Sequence, residues 1–172
     1  MLTDPDHFDG SLDDLIDVVD AVSVPVLRKD FLLEPAQVWE SRAAGADAVL
    51  LIVAILGADA LAGMLDQAVA ARIDALVEVH DREEAALAIN SGATLIGVNN
   101  RDLSTFITDL AVADGLAAQV KGSGAVAVAE SGVSDRAGAA QMWSLGYDAI
   151  LVGEALVTSQ DAELLVQELI AS

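Results

Sequence analysis

Several apolar runs in this chain end on side chains that can do chemistry. Val24-Pro25-Val26-Leu27-Arg28 runs into Lys29, and a second run ends on Glu78. A third ends on Asn99 with Arg101 two residues on, and a fourth on Glu130 followed by Ser131 and Gly132. The last run ends on Gly153 and Glu154. A lysine between two carboxylates can donate and accept protons. The plainer reading of the same three residues is a structural ion-pair network. Arg101 could grip an anion through its planar fork. The glycines after the last two runs could bring peptide N–H groups up to a phosphate, and plain turn chemistry explains them equally well. Glu154 would repel a phosphate, so its side chain has to turn away if its N–H is used. His80 and His7 are read as structural hydrogen-bonding residues, and Trp39 and Trp143 as helix packing.

These residues need elements to carry them. Helical spacing of Leu12, Leu15, Ile16 and Val19 behind Ser11 predicts a helix over residues 11–22. Strands are expected at 24–29, 48–53, 74–79, 94–98, 125–129 and 149–152. Helices fall between them: from Pro35 to Gly45, then over 58–72, 82–90 and 109–120, from Ser134 as cap to Leu145, and over 161–170. Residues 1–10 read as polar and turn-like. Continuous apolar strands alternating with amphipathic helices mean a parallel sheet covered on both faces. Three helix ends repeat one phrase before a strand: Ala44-Gly45-Ala46-Asp47-Ala48, Ser91-Gly92-Ala93-Thr94 and Leu145-Gly146-Tyr147-Asp148-Ala149. In parallel folds ligands bind at the carboxyl strand ends, where all the singled-out residues fall. Lys29, Glu78 and Glu130 sit on alternate strands, so in a barrel they point inward near one another. A doubly wound open sheet is the alternative architecture.

Composition narrows the partners. The chain has 172 residues, 28 acidic against 8 basic, and a net charge of -20. Such a balance disfavours nucleic acid, whose phosphates need basic patches. It suits concentrated salt, where self-repulsion is screened; an ordinary acidic cytosolic protein is the alternative. With no cysteine there is no disulfide or thiolate chemistry. The apolar run over residues 46–56 is interrupted by Asp47 and too short to span a bilayer. No signal peptide is read at the start, and the expectation is a single cytoplasmic domain over residues 1–172.

Six motifs together resemble the indole-3-glycerol phosphate synthase family. They are Leu2-Thr3-Asp4-Pro5-Asp6-His7-Phe8, Pro25-Val26-Leu27-Arg28-Lys29-Asp30-Phe31, Glu78-Val79-His80-Asp81, Gly97-Val98-Asn99-Asn100-Arg101-Asp102-Leu103, Ala129-Glu130-Ser131-Gly132-Val133 and Leu151-Val152-Gly153-Glu154-Ala155-Leu156. The resemblance implies a (β/α)8 TIM barrel of tryptophan biosynthesis. It would act on 1-(2-carboxyphenylamino)-1-deoxyribulose 5-phosphate, which closes, loses carbon dioxide and loses water to give indole-3-glycerol phosphate, without metal or organic cofactor. By position it makes Lys29 the general acid and Glu78 the acid–base carboxylate. Asn99 and Glu130 orient the substrate, and Arg101, Ser131, Gly132, Gly153 and Glu154 lie around substrate and phosphate. The match starts after the family's second strand, so the resemblance implies an incomplete barrel of about six parallel strands. The lone chain is then expected to have little or no synthase activity. It could self-associate or need a missing amino-terminal segment. Another phosphate-sugar barrel enzyme, or an inactive remnant that folds with a partner, are the competing readings.

Overall fold

A computed structural model describes residues 1–102, 105 and 107–171. Leu103, the last residue of the fourth motif, lies outside the described residues. The chain forms two compact units, Met1–Glu78 and Val79–Ser172.

In the first unit the opening loop contains a one-turn helix, α1 (Pro5–Phe8), whose amide at His7 is capped by the Asp4 carboxylate. Ser11 then caps α2 (Leu12–Ala21) through the Asp14 N–H, as its spacing predicts. Next come β1 (Leu27–Arg28), α3 (Pro35–Ala43), β2 (Ala48–Ile52), α4 (Val53–Ala71) and β3 (Asp74–Val79). The ladders are parallel, with Leu27 opposite Ala48 and Ile52 opposite Glu78.

One expectation is corrected here. The first strand is two residues long rather than six, because its flanking groups are engaged elsewhere. Pro25 has no N–H to offer, the Val26 N–H goes to the Asp47 carboxylate at 2.8 Å, and the Lys29 N–H goes to the Met1 carbonyl at 2.8 Å. The expected helix from residue 58 is present; a single turn from Val53 precedes it, and the two are separated by a break at Gly57, where φ is 66° and ψ is -177°. Taken across that break, α4 is longer than the apolar run over residues 46–56. Its 19 residues, at a mean hydropathy of 1.4, are enough by length and composition to cross a membrane. Its inner face argues for packing instead. Leu61, Met64, Ala68 and Ala71 recur at helical spacing and are buried, and the helix lies against β2 and α3.

The second unit runs α5 (Arg82–Asn90), β4 (Leu95–Asn99), α6 (Ala111–Gly122), β5 (Val126–Glu130), α7 (Arg136–Ser144), β6 (Ala149–Leu151), α8 (Glu154–Thr158) and α9 (Ala162–Ile170). β4 pairs parallel with β5, and β5 with β6; Asn99 stands opposite Glu130, and Glu130 opposite Leu151. Asp135, not Ser134, caps α7, accepting from the Gly138 N–H at 2.8 Å. Ile96, Val98, Ala127, Ala129, Leu116 and Met142 fill the core of this unit. The three repeated helix ends all place their glycine at positive φ, 90° at Gly45, 84° at Gly92 and 90° at Gly146.

The phrase after two of those glycines fastens the amino ends of the strands. Asp47 accepts the Val26 N–H with its carboxylate and gives its own N–H to the Val26 carbonyl at 2.9 Å. Asp148 does the same to Ala127, at 2.8 Å in both directions. Each unit is thus closed at the strand entrances by an aspartate that trades two hydrogen bonds with one residue.

Candidate active site

The strand exits carry the polar side chains. In the first unit, β1 delivers Lys29 just past its end and β3 delivers Glu78. The Lys29 Nζ lies 3.1 Å from the Glu78 Oε2. Glu78 is 1% exposed, whereas the Lys29 side chain keeps 28% of its surface in contact with solvent. A buried carboxylate is costly unless a cation and hydrogen bonds hold it. Here the partner is a lysine with access to water, so a proton can move between the pair and the outside.

The neighbouring strand residue is used differently. Arg28 alternates to the other side of β1 and is buried. Its guanidinium donates to Thr3 Oγ1 at 3.0 Å, Asp30 Oδ2 at 3.0 Å, Glu40 Oε2 at 2.9 Å and Ser41 Oγ at 3.1 Å. Thr3 also donates its hydroxyl to Asp30. This network straps the opening loop onto β1 and α3. A cavity of about 460 Å³ lies beside it, lined by residues that include Asp4, Asp13, Asp30 and Gln37. On the strapped loop, Phe8 stacks on Phe31 with centroids 6.1 Å apart and planes at 18°, and the His7 ring meets Phe31 edge-on at 5.6 Å. The His7 N–H and ring hold the Asp4 carboxyl below its ordinary range.

In the second unit, Asn99 and Glu130 end adjacent strands in register. The Asn99 Oδ1 accepts the Arg101 N–H at 3.0 Å, and Glu130 is 1% exposed. Arg101 is ion-paired with Glu154, whose carboxylate therefore turns onto the arginine. Ser131 and Gly132 follow β5 with φ of 62° and 81°. Only glycine fits the second position: a Cβ there would stand 2.6 Å from Thr108 Cγ2 and 3.0 Å from Leu110 Cδ2. Gly153 caps α8, directly before Glu154. His80 has the structural bond expected of it, with Glu84 Oε2 3.0 Å from its Nδ1 and 2.8 Å from its backbone N–H. Trp39 is half-exposed on α3 and donates its indole N–H to Gln67 of the neighbouring α4 at 2.9 Å, in line with a helix-packing role.

The structure therefore brings Lys29 and Glu78 together in one unit, and Asn99 with Arg101 and Arg101 with Glu154 in the other. Sequence reasoning assigned no role to Asn100, Phe8 or Phe31. The phenylalanines had a signal, since the chain has only three and two of them fall in adjacent motifs. Asn100 had none beyond being the second of two asparagines. Among the described residues no group of three or more His, Cys, Asp or Glu gathers in a way that could hold a metal.

Six parallel strands among the described residues, alternating with helices, make this an incomplete chain of the (β/α)8-barrel class. The sequence model of the family "Indole-3-glycerol phosphate synthase" matches residues 1–169. The indole-3-glycerol phosphate synthase of Mycobacteroides abscessus is 48% identical over 172 residues, covering 100% of this chain and 63% of the relative. That of Desulfosudis oleivorans is 45% identical over 172 residues, covering 100% and 65%. That of Carboxydothermus hydrogenoformans is 43% identical over 171 residues, covering 99% and 65%. The chain belongs to the indole-3-glycerol phosphate synthase family, and it spans somewhat less than two thirds of the length of these relatives.

Proposed function

We propose that this chain carries the acid–base machinery of an indole-3-glycerol phosphate synthase. The substrate is 1-(2-carboxyphenylamino)-1-deoxyribulose 5-phosphate. Lys29 protonates its carbonyl oxygen as the ring closes, and carbon dioxide and then water leave. Glu78 takes part in proton transfer and stabilises the positive charge that develops on the ring system. Asn99 and Glu130 orient the substrate. Arg101 holds one of its anionic groups, and the N–H groups around Ser131, Gly132, Gly153 and Glu154 serve the phosphate. A cytoplasmic setting goes with a soluble, phosphorylated substrate of this kind.

The observation that supports this most is the Lys29–Glu78 contact at 3.1 Å, with the acid buried and the lysine reaching water. The open lysine keeps one member of the pair within reach of a ligand and of solvent protons. The test is calorimetric binding of a non-reacting substrate analogue, reduced at the carbonyl, to the 172-residue chain. Lys29→Ala and Glu78→Gln are each expected to weaken binding about tenfold or more, because each removes one charge of the 3.1 Å contact that faces the substrate. Unchanged affinity in both variants, with the fold intact by circular dichroism, would defeat the assignment.

A further inference from the structure

Asn100 is a heavily engaged polar residue of the second unit, and no step of the proposed chemistry uses it. It is 1% exposed. Its Nδ2 donates to the carbonyls of Glu130 at 3.0 Å and Ser131 at 3.2 Å. Its Oδ1 accepts the Ala113 N–H in the first turn of α6 at 2.9 Å. Its backbone N–H also donates to the Glu130 carbonyl, at 3.0 Å, and its carbonyl accepts the Asp109 N–H at 2.9 Å. One side chain thus joins the end of β4, the end of β5 and the start of α6.

What it grips is a strained place. Ser131 is a non-glycine residue at a φ of 62°, followed by Gly132 at 81°. A left-handed serine costs about 1 kcal/mol and persists only where its surroundings hold it. The two carbonyls that Asn100 binds flank the Ser131 N–Cα bond, one on each side. Two hydrogen bonds to those carbonyls fix the rotation of both peptides. The loop after β4 returns over the same spot: Thr108 bridges Arg101 and packs where a Cβ on Gly132 would go. Successive N–H groups in a turn can form a concavity for an anion, and Ser131, Gly132 and Val133 offer three in a row here.

We propose that Asn100 is a positioning residue that holds Ser131 and Gly132 left-handed so that their N–H groups can receive a phosphate oxygen. This rests on the phosphate-binding reading given above. Asn100 itself touches no substrate. Its amide supplies the donors that the turn requires, while its oxygen ties the turn to α6.

The test uses the 15N-labelled chain, inorganic phosphate as probe, and two readouts. One is the intraresidue Hα–HN NOE of Ser131, which is strong only at positive φ. The other is phosphate affinity from amide shifts at Ser131, Gly132 and Val133. Asn100→Ala is expected to weaken that NOE and to lower phosphate affinity about tenfold. Adding Ser131→Gly to Asn100→Ala should restore much of the affinity, since glycine takes the left-handed form without help. A residue that merely fills the core would not be rescued this way. If Asn100→Ala does not fold, Asn100→Ser, which keeps one donor and less volume, carries the same comparison. A retained Ser131 NOE with unchanged affinity, or no rescue by Ser131→Gly, overturns the proposal. Failure of the unaltered chain to bind phosphate overturns the phosphate reading, and with it the purpose given to Asn100. Binding by the unaltered chain without the Asn100 effect overturns the role of Asn100 alone.

Discussion

Each unit presents a cation and a carboxylate at its strand exits, and the two pairs are built in opposite ways. In the first unit the acid is inside: Glu78 is buried at the end of β3, and Lys29 reaches it from β1. In the second unit the pair sits on the outside, with Arg101 and Glu154 side chains 37% and 75% exposed. Burial decides what each pair is worth. An exposed pair gains about 0–1 kcal/mol, because water already solvates both partners. A buried acid that loses its cation is stranded, at a cost of about 3–5 kcal/mol. The inner pair is therefore fixed in place, while the outer pair can be exchanged. An incoming anion can displace Glu154 from Arg101 at little cost.

The largest effect expected from this contrast is in stability. Lys29→Met should destabilise the chain by about 3 kcal/mol in urea denaturation, the lower end of the range, since the lysine is partly solvated. Arg101→Met should cost under about 1 kcal/mol in the same assay. Equal losses would erase the distinction between the pairs.

A smaller effect sharpens it. Removing the negative charge with Glu154→Gln frees the Arg101 fork, so inorganic phosphate should bind about two- to fivefold more tightly at low salt. At 1 M salt, where charges separated by more than about 3 Å are screened, that gain should shrink toward nothing. The penalty of Lys29→Met, set by burial, should persist at the same salt concentration. A gain from Glu154→Gln that salt does not touch would mean that Glu154 acts by shape rather than by charge.

The smallest effect concerns acid. The Ala127 N–H and then Lys121 hold the Asp148 carboxyl below its ordinary value of 3.8. The folded state therefore releases this proton more readily than the unfolded chain does. The contribution is fully present above pH 3.8 and fades as pH falls through the lower folded value. Asp148→Asn should flatten the acid limb of the stability curve below about pH 4 and leave the neutral region nearly parallel to it. Because Asp148 is largely solvated, the change should be slight, and a steeper acid limb in the variant would reverse the assigned sign.

How far the sequence carries depends on what each feature needs. Strand exits were legible because an apolar run that stops on a charge marks its own end, and Lys29 and Glu78 could be paired through alternation alone. Helix starts at Ser11 and Pro35 were legible because caps have a fixed side-chain chemistry. The length of β1 was not, since it depends on where the Val26 and Lys29 N–H groups go, and their partners are Asp47 and Met1, far off in the chain. The α7 cap was misread by one residue because Ser134 and Asp135 are both capable caps, and only backbone geometry chooses. Glu154 was expected to turn away from an anion, but the attraction of Arg101, a long way upstream, gives that turn its destination. Asn100 was silent for a related reason: its role lies in which carbonyls face it, and side-chain type alone does not report that.

The aspartates that trade hydrogen bonds with Val26 and Ala127 lie at the entrances of the strands, while every proposed reacting group lies at the exits. Mooring and chemistry are therefore housed at opposite poles of each unit. Retuning the exit loops leaves the moorings untouched, whereas a charge swap at Asp47 or Asp148, undertaken only to make this acidic chain less negative, would cut a line that holds the strand entrances together.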